Sequence, residues 1–284
     1  MVRFRQTVRR MFPLLPVLAL VGCAMDADLP PAPGSPSARL DDPAALDEMV
    51  SRLAQRGAHE TALGFALRAA ERAPGDVARW VRVHELAEVV GREDIAEMAL
   101  GRIAALEPDH PLLAVARAAE ALREGSPERA QAALDAIPPA RRPAGYYRIR
   151  GLIAEWRGDG LAARMTYAEG LQRFPDDPGL IVNLALSYAL AEDLAAANDL
   201  LSMLAERGPS LRQLALRNLV LAAMLAGDGE QARRLALEAG LTDAALAFYR
   251  AVAELDGPAR ARALITGRLP QPAAAPAPAR PGGR

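Results

Sequence analysis

Six marks recur at almost fixed spacing along this 284-residue chain. Gly57, Gly91, Gly125, Gly158, Glu192 and Gly227 lie 34, 34, 33, 34 and 35 residues apart. Five positions after each stands an alanine: Ala62, Ala96, Ala130, Ala163, Ala197 and Ala232. Twelve positions after four of those alanines stands a proline, at Pro74, Pro108, Pro175 and Pro209. A unit this short cannot bury an apolar face alone, so it must stack on its neighbours. The period therefore excludes one globular core and predicts a stacked array. Alanine and leucine dominate while aromatics make up only 4% of the chain, which favours closely packed helices over sheet.

Within each unit the pattern reads as two helices. Asp42-Pro43 is a cap followed by a proline in the first turn. Leu46, Met49, Val50 and Leu53 then repeat at helical steps. Gly57 breaks that helix; Ala62, Ala66 and Ala69 mark the next, and Pro74 closes it. Asp76 is placed to cap the second unit, which runs through Trp80, Val83 and Ala87 to Gly91, then Ala96, Leu100 and Ile103. The third starts near Pro111, turns at Gly125, restarts with Ser126-Pro127 and ends loosely around Pro138, Pro139 and Pro143. The fourth carries Tyr147, Gly151, Gly158, Ala163, Tyr167, Gly170 and Pro175. The fifth opens at Asp177-Pro178 and departs at its turn, where Glu192-Asp193 replaces glycine. The sixth, through Leu216, Val220, Gly227, Ala232 and Ala236, lacks the closing proline. A helix over about 243–255 is expected to cap the array, because an end unit exposes the face its neighbours bury.

These marks resemble the tetratricopeptide repeat, most completely in the fourth unit. The resemblance implies an all-α superhelix of about six antiparallel helix pairs plus a C-terminal capping helix. Small residues such as Gly151, Ala163 and Ala185 let paired helices approach. It also implies that the first helix of each pair lines a concave groove that binds protein. Mapped onto this chain, that wall comprises Leu112, Val115, Leu122, Arg148, Leu152, Val182, Asn183, Leu186, Leu214, Arg217, Asn218, Leu221 and Met224, with Glu85 and Glu88 in the second unit and Glu155 in the fourth. The same residues could instead pack against the C-terminal cap or neighbouring helices. A two-carboxylate clamp of the kind some members use is not expected, because its lysines are missing.

All 34 basic residues are arginine, which removes a phosphate-loop lysine and a Schiff-base lysine. His59, His84 and His110 fall in different units without ligand spacing, and are read as exposed or capping. Ser126 and Ser187 have no nucleophile-elbow context. Glu192-Asp193 and Asp176-Asp177 sit at helix ends, where capping accounts for them. Arg141-Arg142 and Arg233-Arg234 read as solvated pairs. No catalytic residue, metal site or cofactor is expected. The formal net charge of −1 falls to near −5 without residues 1–22, which hold four arginines and no acid; such a surface does not suggest nucleic acid, and no small-molecule substrate is expected.

Residues 1–22 read as an export signal. Arg3, Arg5, Arg9 and Arg10 precede an apolar run from Met11 to Val21, which is too short to span a bilayer as a helix. The run ends in Leu20-Val21-Gly22-Cys23, which resembles the bacterial lipobox and implies cleavage before Cys23 and lipid on its thiol. Several acyl chains there would anchor the chain firmly. Cys23 is the sole cysteine, so no internal disulfide can form. Ala24, in place of an inner-membrane retention aspartate, points to the outer membrane and a periplasmic array. Residues 23–42 form a Pro-rich tether reaching up to about 60 Å when extended. The array with its cap is assigned to 43–256, a short helix is allowed at 257–268, and 269–284 reads as a disordered Pro/Ala-rich tail.

The last two units share a closer pattern. Asn183-Leu184-Ala185-Leu186 with Leu190-Ala191-Glu192-Asp193 matches Asn218-Leu219-Val220-Leu221 with Leu225-Ala226-Gly227-Asp228. Together with Ala247-Phe248-Tyr249-Arg250 and the lipobox, this resembles the TadD-type lipoproteins of Tad/Flp pilus assembly. That resemblance implies a pilotin-like assembly factor whose partners include a secretin or a pilus subunit. The competing reading is another envelope repeat lipoprotein, serving outer-membrane protein insertion or cell-wall synthesis.

Overall fold

A computed structural model describes residues 42–270. The expectations for the signal segment, Cys23, nearly all of the tether and residues 271–284 lie outside the described residues.

Six helix pairs follow one another: α1 (Pro43–Gln55) with α2 (His59–Arg72), α3 (Val77–Val90) with α4 (Glu93–Leu106), α5 (Pro111–Arg123) with α6 (Pro127–Asp135), α7 (Ala144–Trp156) with α8 (Gly160–Arg173), α9 (Pro178–Leu190) with α10 (Leu194–Ala205), and α11 (Pro209–Leu225) with α12 (Gly229–Glu238). Two further helices, α13 (Asp243–Ala253) and α14 (Gly257–Thr266), end the described chain. Consecutive helices pack on each other along the array, and no strand occurs among the described residues. The fold is an all-α tetratricopeptide-repeat superhelix.

The periodic marks are the turns inside the pairs. Each sits in the left-handed region, with φ of +70° at Gly57, +73° at Gly91, +81° at Gly125, +80° at Gly158 and +77° at Gly227. The residue after each donates its N–H back five positions, as Arg92 does to the Ala87 carbonyl at 2.8 Å and Asp228 to the Ala223 carbonyl at 3.0 Å. This motif satisfies carbonyls that a helix end leaves unpaired, and it needs a residue that tolerates positive φ. Glu192 adopts the same geometry at φ +64°, with Asp193 donating to the Tyr188 carbonyl at 3.0 Å. The fifth unit thus departs in sequence but not in backbone. The next residue often starts the second helix: Asp159, Asp193 and Asp228 each accept a backbone N–H from three residues on. Ser126 does not; it makes no side-chain cap bond, and Pro127 at the first turn starts α6 without one.

Small residues set the spacing between paired helices. A Cβ on Gly151 would lie 2.1 Å from Cε1 of Tyr167, and one on Gly170 would meet Tyr147 Cβ at 2.8 Å. Tyr147 and Tyr167 are among the largest fully buried side chains, so these two glycines make room for the fourth unit's two rings. The loose Pro138–Pro143 junction becomes a short 3-10 turn at Pro139–Arg141 after the nine-residue α6. The apolar interior is correspondingly a chain of clusters: one around Trp80, Val83 and Ile103, another around Leu134, Tyr147 and Tyr167, and more toward the C-terminus.

The array curls far enough to touch itself. Gly57, in the first unit, lies against the loop before the sixth, where an added Cβ would fall 2.1 Å from the Arg207 carbonyl oxygen and 2.5 Å from Gly208 Cα. Gly208 itself has φ +132°. Behind this contact α3 packs on α11, and Val89 joins the cluster of Ile181, Leu201 and Leu211.

Candidate functional site: the concave wall

The curl brings first helices from different units face to face. Near the second unit the wall is charged. Arg148 of α7 donates through Nη2 to Glu88 Oε2 of α3 at 2.7 Å, across 60 residues of sequence. His84 Nε2 lies 3.9 Å from the other Glu88 oxygen. Burial pushes the Glu88 carboxyl upward, but Arg148 and His84 outweigh it and hold the group below the usual carboxylate value. Burial likewise opposes the charge on Arg148, which Glu88 and Asp177 overcome, raising its pKa. Glu85 pairs with Arg82 at 3.7 Å; burial, with Asp177 and Glu88 nearby, outweighs Arg82 and His84 and leaves its carboxyl raised. The Glu88 and Arg148 side chains remain 38% and 24% exposed, so the pair is worth at most about 1 kcal/mol. Its larger effect is to fix how α3 and α7 sit across the groove. Gly179 serves the same contact, since a Cβ there would meet Arg148 Cδ at 2.7 Å.

Toward the C-terminus the wall is apolar, and α14 lies on it. This helix packs on α5, α7 and α9, the first helices of three successive units. Ala263 shares a cluster with Leu221 of α11 and Val252 of α13, flanked by Leu186, Leu225, Phe248 and Tyr249. Ile265 packs against the cluster around Tyr147 and Leu184. Arg262 donates from Nε to the Trp156 carbonyl at 3.2 Å and rests its guanidinium 5.7 Å from the centre of that indole. Trp156 ends α7, so the arginine satisfies a terminal carbonyl and meets the negative end of the helix dipole. Pro258 sits against the Gly158 turn, 3.5 Å from where a Cβ would stand.

The predicted wall residues divide accordingly. Leu112, Val115, Leu122, Val182, Leu221 and Met224 are buried in the clusters between helices. Leu152 packs at the edge of the Tyr147 cluster, Leu186 against α14's cluster and Leu214 against that of Ile181. Asn218 spends its Nδ2 donor on the Leu214 carbonyl at 2.8 Å. Asn183 is half-buried and Arg217 exposed. Sequence reasoning passed over Trp156 and Arg262, although an indole at a helix end ahead of a turn glycine is a signal that could have been read.

Behind the wall lies an underpaired polar cluster. Glu155, expected on the wall, is buried instead: Glu155, Tyr167 and Ser187 are 7%, 0% and 2% exposed, and among the described residues Glu155 Oε1, the Tyr167 hydroxyl and Ser187 Oγ have no hydrogen-bond partner. Burial raises the Glu155 carboxyl despite Ser187 and Arg164 nearby, and burial together with Glu155 raises Tyr167 well above a phenol's usual value.

The histidines differ from the sequence expectation. His59 and His84 are buried, not exposed, and burial lowers the His59 pKa. His110 does cap, its Nδ1 accepting from Leu112 N at 3.3 Å. Arg141 and Arg142 are not simply solvated: Arg141 pairs with Glu107 at 2.5 Å, and Arg142 stacks 4.4 Å over the Tyr146 ring. No group of three metal-ligating side chains comes together among the described residues, and no helix there is long and apolar enough to cross a membrane.

No family model and no curated protein matches the chain. Solved structures do resemble it. PilW, described as a widely conserved type IV pilus biogenesis factor, is 16% identical with a TM-score of 0.38, covering 69% of this chain and 91% of its own. A tetratricopeptide repeat protein from Parabacteroides merdae is 13% identical with a TM-score of 0.44, covering 79% and 87%. PilF of Pseudomonas aeruginosa is 15% identical with a TM-score of 0.36, covering 71% and 91%.

Proposed function

We propose that the chain is a lipid-anchored, periplasm-facing protein-binding scaffold that assists assembly of a Tad/Flp pilus or a related secretion machine. The observation that carries this reading is the repeated segment of the last two units. Its parts have distinct roles. The Leu190–Asp193 and Leu225–Asp228 halves build the turn, with Glu192 or Gly227 at positive φ and Asp193 or Asp228 capping the next helix. That chemistry recurs in Trp156–Asp159 and belongs to the fold. The Asn183–Leu186 and Asn218–Leu221 halves lie on the groove-lining α9 and α11, and each ends in a leucine that touches the cluster holding α14. The pattern is therefore repeated at the surface where a protein partner would sit. The lipobox ending at Cys23 supports the anchor, and Ala24 supports the outer membrane.

The test is a pull-down from envelope extracts, comparing the wild-type chain with Cys23→Ala. The proposal expects a secretin or pilus subunit with the wild type and a lower yield once the anchor is lost. Recovery of insertion-machine or cell-wall components alone would contradict it, as would normal pili and secretin multimers in a deletion strain.

A further inference from the structure

The helix lying on the apolar wall is held by small and half-buried side chains. α14 has ten residues, of which only Ala261 and Ala263 are fully buried. α13, which delivers it, fully buries Val252 alone. Most helices of the array bury larger anchors, such as Tyr147, Tyr167, Leu180 and Leu201, although α12 too fully buries only Ala232 and Ala236. Apolar stabilisation scales with buried area, so the two alanines contribute little, and Leu264 and Ile265 add half-buried contacts to them. The surface beneath is far better formed. Leu186, Leu221, Leu225 and the Trp156 indole come from three units that do not depend on α14 for their own pairing.

The way α14 fits describes what the groove accepts. Positions 261 and 263 are about 200° apart around a helix, yet both are buried, so the helix is contacted on two sides. Only small side chains allow that approach. Between them Arg262 reaches the end of α7, where it satisfies the Trp156 carbonyl. Leu264 and Ile265 then fill apolar clusters on either side.

We infer that this wall is a helix-binding groove held shut by the chain's own C-terminal helix, and that its external ligand is a protein helix presenting small residues around one arginine, followed by a pair of aliphatic side chains. The inference rests on the protein-binding reading above, but not on which machine supplies the partner. An incoming helix must compete with α14, so its apparent affinity falls in proportion to the fraction of chains with the groove open.

The probe is a fluorescent peptide with the sequence of residues 256–268, added to the full chain. Ala263→Asp places a carboxylate against Leu221 and Val252 and should release α14. The released chain is expected to bind the peptide at least about tenfold more tightly than the wild type, with helical circular dichroism reduced by no more than the loss of α14. A second peptide carrying Arg262→Ala should bind the released chain more weakly, since it cannot satisfy the Trp156 carbonyl. Equal affinity of wild type and Ala263→Asp, no binding by either, or indifference to the arginine would overturn the inference. So would collapse of the whole array in Ala263→Asp, because α14 would then be a structural keystone. A partner recovered equally by the wild type and by a chain with α14 tethered in place would overturn it too, while leaving the proposed scaffold role intact.

Discussion

Glu192 is where the array conflicts with its own turn chemistry. A left-handed backbone costs an L-residue about 1–2 kcal/mol, and glycine escapes most of that. Glu192→Gly is therefore expected to raise the free energy of unfolding by about 1 kcal/mol, read as a higher urea midpoint at unchanged slope. Glu155 makes the second residue-scale prediction. Burial raises its carboxyl above the usual carboxylate value, so the folded state holds its proton longer than the unfolded one. Stability from this group is complete below about pH 4.5 and is lost as pH rises through the folded-state value. Glu155→Gln should then stabilise the chain at pH 7, by about 1 kcal/mol, and the gain should vanish in acid. A gain that persists unchanged at pH 4 would contradict that account. His59 has the opposite sign: its pKa is lowered, so its contribution is present at neutral pH and declines as pH falls below about 6.5.

At the scale of the element, what was legible in the sequence was what is local. Turn glycines, aspartate caps and first-turn prolines act within four or five residues, so Asp42, Asp76 and Asp177 could be assigned from sequence and do accept backbone N–H groups. The close approach at Gly151 was legible for the same reason. The seating of α14 was not. Its alanines pattern like any short helix, and much of its surroundings comes from residues far away in sequence, such as Leu221 and Trp156. The wall residues were placed by analogy with a regular array, which gives the helix but not how much of its face neighbours cover; hence Leu122 and Leu221 are buried. Because α14 is attached as an appendage, its stability is expected to be separable from the rest. Asp256 caps it by accepting from Ala259 N at 3.1 Å. Asp256→Ala, a loss of about 1 kcal/mol, should speed amide exchange in α14 by roughly fivefold and leave exchange in α7–α10 unchanged.

Across the whole molecule the curl decides what the concave wall can do. It follows from small rotations accumulated over six units, which no 34-residue window of sequence reveals. Two glycines mark where it closes. Gly227 and Gly57 share a left-handed backbone, but a Cβ on Gly227 meets open space whereas one on Gly57 runs into Arg207 and Gly208. Gly227→Ala should cost about 1 kcal/mol. Gly57→Ala should cost about 3 kcal/mol or more, and it should also expand the chain's radius in small-angle scattering. Equal costs and unchanged radii would mean that the closing contact has no energetic weight.

The central claim is that the chain's C-terminal helix occupies its own concave groove, and one crosslink tests it directly. A Cβ at position 158 would stand 4.0 Å from Pro258 Cβ, within the range a disulfide requires. In a chain with Cys23→Ser, the pair Gly158→Cys and Pro258→Cys should oxidise almost completely within single molecules, leaving the helical spectrum unchanged. A pair that stays reduced, or that links one molecule to another, would show that α14 does not rest in the groove.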